Sequence, residues 1–236
     1  MRRNDANQCR RCGVCCEKGG PSLHHEDRHL VDSGRIPARC LFTLRQGELA
    51  RDNVKGVLAP LSAEIIKIKG QSGSWTCMFY DDETRGCGIY DHRPLECRAL
   101  NCRDTRRIAK VYAVDRLTRQ DLLASIEGLW ELIDDHERRC SYVKLAEMVG
   151  QGARGGQLKQ ERAILEIMRF DAHIRQLAVQ QGGLDGRMLD FIFGRPLAHT
   201  IKMFDIQLEM KNGTVGRILA GSGNAPTGVG FSQPPR

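Results

Sequence analysis

Long apolar runs are missing from these 236 residues, and no segment reaches the roughly 20 uncharged positions that a membrane-spanning helix needs. The N-terminus, MRRNDANQC, carries two arginines with no apolar stretch behind them, so it does not read as a secretory leader. A cytoplasmic protein without a membrane partner is the expectation. Aromatic residues make up only 6% of the chain and no dense basic run is interleaved with them, so platforms for stacking single-stranded nucleic acid are poorly supplied. The formal charge of +7 is spread thinly: Lys+Arg number 17 against 14 Asp+Glu up to Asp104, and 19 against 15 beyond it. A nucleic-acid partner is therefore not indicated. Internal repeats are absent too. At 41% hydrophobic and 28% charged, the composition is that of an ordinary folded protein, neither disordered nor fibrous.

What the sequence does have is ten cysteines, nine of them before Thr105. A reducing compartment keeps thiols free, and there a cysteine pattern means metal or catalysis more often than bridges. The first cluster is C-x2-C-x2-C-C, at Cys9, Cys12, Cys15 and Cys16. Spacings of two residues let a tight turn bring two sulfurs onto one zinc ion or iron-sulfur cluster. Cys15 and Cys16 are adjacent, and neighbouring side chains diverge. They are expected to serve different metals, or one of them to bridge two. The second cluster is Cys77, Cys87, Cys97 and Cys102, spaced C-x9-C-x9-C-x4-C. A hairpin across the polar turn DDETRG would return Cys77 and Cys87 to pairing distance, and a helix opened by Pro94 would present Cys97. Eight thiolates suffice for two fully thiolate-bound ions, or for one iron-sulfur cluster with ligands to spare. Cys40 and Cys140 read as small core residues.

Other thiol chemistries fit less well. A disulfide framework lacks its secretory context, and a thioredoxin-like dithiol lacks its βαβ unit. The ferredoxin run C-x2-C-x2-C-x3-C-P is matched only in its first three cysteines, and the three-then-two spacing of radical-SAM sites is missing. Metal binding is the inference; zinc and iron both stay open.

The stretch CRRCGVCC followed by CMFYDDETRGCGIYDHRPLECR resembles the CxxCxxCC family of zinc- or iron-chelating domains. That family's pattern pairs the N-terminal cluster with a later Cys, then Gly-Cys-x-Ile-Tyr, then Arg-Pro-x-x-Cys-Arg. Here these fall on Cys77, on Gly86, Cys87, Ile89 and Tyr90 around Gly88, and on Arg93, Pro94, Cys97 and Arg98, so the likeness runs from Cys9 to about Arg103. The resemblance implies a chelating domain with eight cysteines. Flagellin lysine N-methylases of some bacteria carry the same domain, which makes a metal-dependent protein-modifying enzyme, such as a lysine N-methyltransferase acting on a protein substrate, the alternative function. Independently of the resemblance, Arg93 and Arg98 could offset the negative charge of a multi-thiolate site, or Arg93 could pair with a surface carboxylate.

The fold expected is α+β: a small cysteine-rich domain with a short antiparallel sheet over 1–104, a helical region over 105–210, and a flexible Gly/Pro-rich tail over 211–236. SLHHEDRHLVDSG reads as a short helix capped by Ser22 and ended by Gly34. CLFTL and EIIKIKG read as strands. Thr118 and Asp121 have capping-box spacing, ahead of a helical face carrying Leu122, Ile126, Leu129, Trp130 and Ile133. Further helices are expected in SYVKLAEMVG, in QLKQERAILEIMRFDAHIRQLAVQQGG and from Pro196. GQGARG, at 150–155, matches a nucleotide-binding glycine pattern but follows a helix rather than a strand, so it reads as a linker. His24, His25 and His29 lie near the first cluster and read as solvated helix residues rather than ligands. The stripe of Ile164, Leu165 and Met168 reads as core.

Overall fold

The structure is a computed structural model that describes residues 9, 11–52, 54–152, 157–211 and 214–220. From the N-terminus the elements are α1 (Val14–Glu17), α2 (Arg28–Asp32), β1 (Leu41–Leu44), β2 (Leu49–Asp52), β3 (Val57–Pro60), β4 (Ile65–Ile68), β5 (Tyr80–Asp81), β6 (Gly86–Cys87), α3 (Leu95–Ala99) and α4 (Arg106–Val111). They continue with α5 (Arg119–Leu123), α6 (Leu129–Arg139), α7 (Tyr142–Gly152), α8 (Gln157–Gln180), α9 (Leu189–Ile192), α10 (Leu197–Thr200), β7 (Ile206–Lys211) and β8 (Thr214–Ala220). Short helices and two-stranded antiparallel sheets make the fold α+β. No helix among the described residues is long and apolar enough to cross a membrane.

The chain divides into two compact units. The first holds the residues up to Phe42 together with Ile65–Leu122, and the second holds Thr43–Glu64 together with the residues from Leu123 on. The first unit runs on to Leu122, and the β2–β3 hairpin, with Ala50 opposite Ala59, belongs to the second.

In the first unit β4 pairs with β1, whose first two residues belong to this unit. The segment Pro21–His25 lies beside β4, with Leu23 N–H donating to Ile66 at 2.9 Å and Ile68 N–H to Pro21 at 3.0 Å. On its other side the Leu117 N–H donates to Leu23 at 3.0 Å. Leu23, Leu30, Ile36, Leu41, Ile66, Ile68 and Leu117 form the apolar floor this arrangement buries.

The helix expected to start at Ser22 instead begins with a 3-10 turn, His25–Asp27, continued by α2. His24 is its cap, because its own N–H donates to Asp27 Oδ2 at 3.0 Å, while Ser22 N–H goes to Glu96. Gly34, with φ at 71°, ends the helix as the sequence suggests. Thr118 and Asp121 do form their capping box, Thr118 N–H to Asp121 Oδ2 at 2.8 Å and Asp121 N–H back to Thr118 Oγ1 at 3.2 Å. The helix breaks after Leu123, however, and restarts at Gly128, whose φ of 74° is outside the range other residues adopt easily. The break turns Ile126 outward, leaving it 47% exposed, while Ile133 stays buried.

In the second unit Tyr142 and Leu145 from α7, Ile164 and Met168 from α8, and Leu197, Ile201 and Ile206 form one core, with Leu165 packed beside it. Pro196 caps α10. Strand β8 occupies part of the stretch expected as a tail, paired with β7 through a register shift at Glu209/Met210. Residues 221–236 and 153–156, the latter within the GQGARG linker, lie outside the described residues.

Candidate metal centre

Gly13 opens the first cluster. Its φ of 80° is left-handed, and a Cβ there would meet the Tyr80 hydroxyl at 2.1 Å. Only glycine permits both the turn and the close approach. The turn starts α1, a single helical turn, VCCE, closed by Glu17 N–H donating to Gly13 at 3.0 Å. Cys15 and Cys16 therefore sit side by side in one turn. Gly13→Ala is expected to destabilise the fold by about 2 kcal/mol, from the left-handed backbone and the displaced Tyr80 together. Urea unfolding of the two chains would measure it.

The second cluster is delivered by the hairpin and α3. β5 and β6 pair with Tyr80 opposite Cys87. Cys77, just before β5, bridges to Gly70 and donates its N–H to the Cys16 carbonyl at 2.7 Å. That bond joins the two clusters through backbone. Cys97 lies mid-way along α3, with Pro94 as the residue just before the helix. Asp27, fully buried, fixes where α3 starts: its Oδ1 accepts from Leu95 N–H at 2.8 Å while Oδ2 holds the His24 cap. One carboxylate thus sets both helix ends.

Sulfurs from both clusters lie close enough to act on one another. The Cys97 thiol is pushed well above the ordinary thiol value by burial, then by Cys77, Cys87, Cys16 and Cys15. Cys16 is raised to about 12 by burial and by Cys15, Cys77 and Cys87. Cys77 is raised by burial, Cys87 and Cys15, against a lowering from the Lys67 ammonium. Cys15 is raised by burial and by Cys9 and Cys102. Cys12 and Cys102 are exposed. Among the described residues, no three of these thiols have all their sulfurs within 4.8 Å of one another. They gather without closing on a single point.

The neighbouring polar residues have other partners. His24, expected as solvated, is fully buried: its Nδ1 lies 2.7 Å from the Val114 carbonyl and its Nε2 3.4 Å from Glu96. Both ring nitrogens are engaged, so it is not a free ligand. His25 faces Asp121 at 3.5 Å, and His29 Nδ1 lies 2.8 Å from the Glu26 carbonyl. Arg98 pairs with Glu26 and donates to the Arg93 carbonyl. Arg93 donates to the Tyr90 carbonyl at 2.8 Å rather than to a surface carboxylate.

Sequence reasoning missed a buried group in the second unit. His136, Cys140 and Asp171 have donor atoms within 4.8 Å of one another. Cys140 is core, as expected, and so by the same measure is Cys40. Asp171 already accepts from His136 Nε2 at 2.7 Å, Arg175 Nε at 3.0 Å and the Leu197 N–H at 2.9 Å. A cation here would also face the buried guanidiniums of Arg175 and Arg45, the latter donating to the Cys140 carbonyl at 3.2 Å. We read the group as a structural hydrogen-bond network. The His136/Cys140 and Asp171/Arg175 pairs, each four apart, were visible in the sequence, but nothing there showed that the two helices meet.

Residues 8–113 match the model of the CxxCxxCC family, described as "Putative zinc- or iron-chelating domain". No curated protein matches the chain, and no solved structure does.

Proposed function

We propose that this chain, whose residues 8–113 belong to the CxxCxxCC family of zinc- or iron-chelating domains, holds its metal through Cys9, Cys12, Cys15, Cys16, Cys77, Cys87, Cys97 and Cys102, as one or two thiolate centres. The observation that carries the reading is the bond from the Cys77 N–H to the Cys16 carbonyl at 2.7 Å, which ties together cysteine clusters from opposite ends of the domain. Soft thiolates select zinc, iron or an iron-sulfur cluster over hard cations. A cation would offset the negative charge that these thiols acquire as they give up their protons to ligate it. The metal so held supplies folding energy, about 10–16 kcal/mol for structural zinc in small domains. All ten cysteines are free, which fits a reducing, cytoplasmic setting.

Anaerobic elemental analysis with an absorption spectrum tests the reading. Stoichiometric metal is expected, colourless if zinc and visibly absorbing if an iron-sulfur cluster. Protein that holds no metal as isolated, and none after anaerobic reconstitution with zinc or with iron and sulfide, would overturn it.

A further inference from the structure

Arg11 sits between Cys9 and Cys12 with a left-handed backbone, φ 56°, rare for a residue with a side chain. Its guanidinium carbon lies 3.8 Å from the centroid of the Tyr90 ring, and that of Arg93 lies 3.7 Å from the same centroid. Two guanidiniums so close to one centroid cannot share a face without overlapping. The ring is therefore sandwiched between two cations. The stack closes one side of a cavity of about 300 Å³, whose lining also includes Arg98, Cys9 and Cys97. Three arginines line this space and, among the described residues, no carboxylate does. Arg98 is partly neutralised by Glu26, whereas Arg11 and Arg93 have no carboxylate partner among the described residues.

We propose that this cavity is a receptor for a small oxyanion, a carboxylate- or phosphate-bearing molecule held at the edge of the Tyr90 stack by the guanidiniums of Arg11, Arg93 and Arg98 that line it. Guanidinium presents planar, paired N–H donors that match carboxylate and phosphate oxygens, and stacking on Tyr90 holds two of these forks in place before the ligand arrives. An anion there offsets two like charges that the ring holds apart. The residues that build the receptor are the chain's own, so it does not depend on the metal.

Isothermal titration of the full-length protein with inorganic phosphate and with succinate tests this, with metal content measured on the same sample. Binding that weakens as salt rises is expected for at least one of the two. Arg11→Gln and Arg93→Lys should each weaken it about tenfold or more, the value of one charge-assisted contact. Lys144→Gln, in the other unit, should leave it unchanged. Arg11 is exposed, so its variant keeps the test available should Arg93→Lys fail to fold. If neither anion binds at millimolar concentration, or if the arginine variants bind as the Lys144 control does, the proposal is overturned. Metal without anion binding refutes the receptor alone; anion binding by protein that cannot take up metal refutes the metal reading alone.

Discussion

Asp171→Ala is expected to cost about 3–5 kcal/mol of unfolding free energy, a large part of the 5–15 kcal/mol typical of a folded protein. The carboxylate is buried and ties three parts of its unit together: His136 on α6, Arg175 on its own helix α8, and the N–H of Leu197 that begins α10. Removing it leaves the buried Arg175 charge with carbonyls alone, those of Leu189, Phe193 and Gly194 at 3.4, 3.2 and 2.9 Å. It also strips His136 of its remaining contact, since its Nδ1 has no hydrogen-bond partner among the described residues. Asp171→Asn keeps the shape and an acceptor but loses the charge, so an intermediate loss is expected. Denaturant titration of the three chains would rank them, and equal stability of all three would sink the account of a charged hub.

The same network sets a pH window. Although burial opposes ionisation, contacts with His136 and Arg175 hold the Asp171 carboxyl down at about 2 against 3.8 for a free group. A depressed acid stabilises the fold fully above the unfolded value and loses that contribution as pH falls from about 4 toward 2, on the order of 2 kcal/mol. His136 acts in the same direction. Burial first, then the charges of Arg45 and Arg175, lower it below 6.5 despite Asp171, so it is held neutral and donates Nε2–H to the carboxylate. As pH falls below 6.5 the unfolded chain takes up a proton that the folded imidazole refuses. Stability should therefore begin to fall below about pH 6.5 and drop further below pH 4, whereas Asp171→Ala should show a smaller second step, the remainder coming from other depressed carboxylates such as Glu96.

Local signals carried much of the architecture. The Thr118–Asp121 box, Pro196 before α10, Gly34 after α2 and the DDETRG turn between β5 and β6 all act within a few residues, where side chain and backbone meet without help from the rest of the chain. What depended on distant packing was not legible. His24 read as solvated because its burial depends on Val114 and Glu96, 90 and 72 positions away. The face through Ile126 failed because a left-handed glycine at 128 ends one helix and begins another, a break that hydrophobic period alone does not reveal. The match to a chelating-domain model was legible in the sequence, in two spaced groups of four cysteines. That Tyr90 lies between two arginines emerged only once the turn at Gly13 and the register of the hairpin were fixed.

Zinc affinity is expected to rise steeply with pH, and Cys97→Ser to lower it about a hundredfold or more. Burial and neighbouring thiols raise Cys15, Cys16, Cys77 and Cys97, so near neutral pH these groups are protonated before metal arrives. Only the thiolate ligates. Each of the four that binds must release about one proton, and each proton released adds about tenfold in apparent affinity per pH unit while pH stays below the thiol value. Titrations in two buffers of different ionisation heat count the protons directly. Cys97 has the most to lose, because four other thiols act on it and a serine hydroxyl in its place ionises far too weakly to serve as a ligand. Cys140→Ser, in the helical unit, supplies the control and should leave zinc binding unchanged. An affinity independent of pH, or a Cys97→Ser protein that holds zinc as tightly as the parent, would mean that the gathered sulfurs are packing groups and that the domain takes its metal elsewhere.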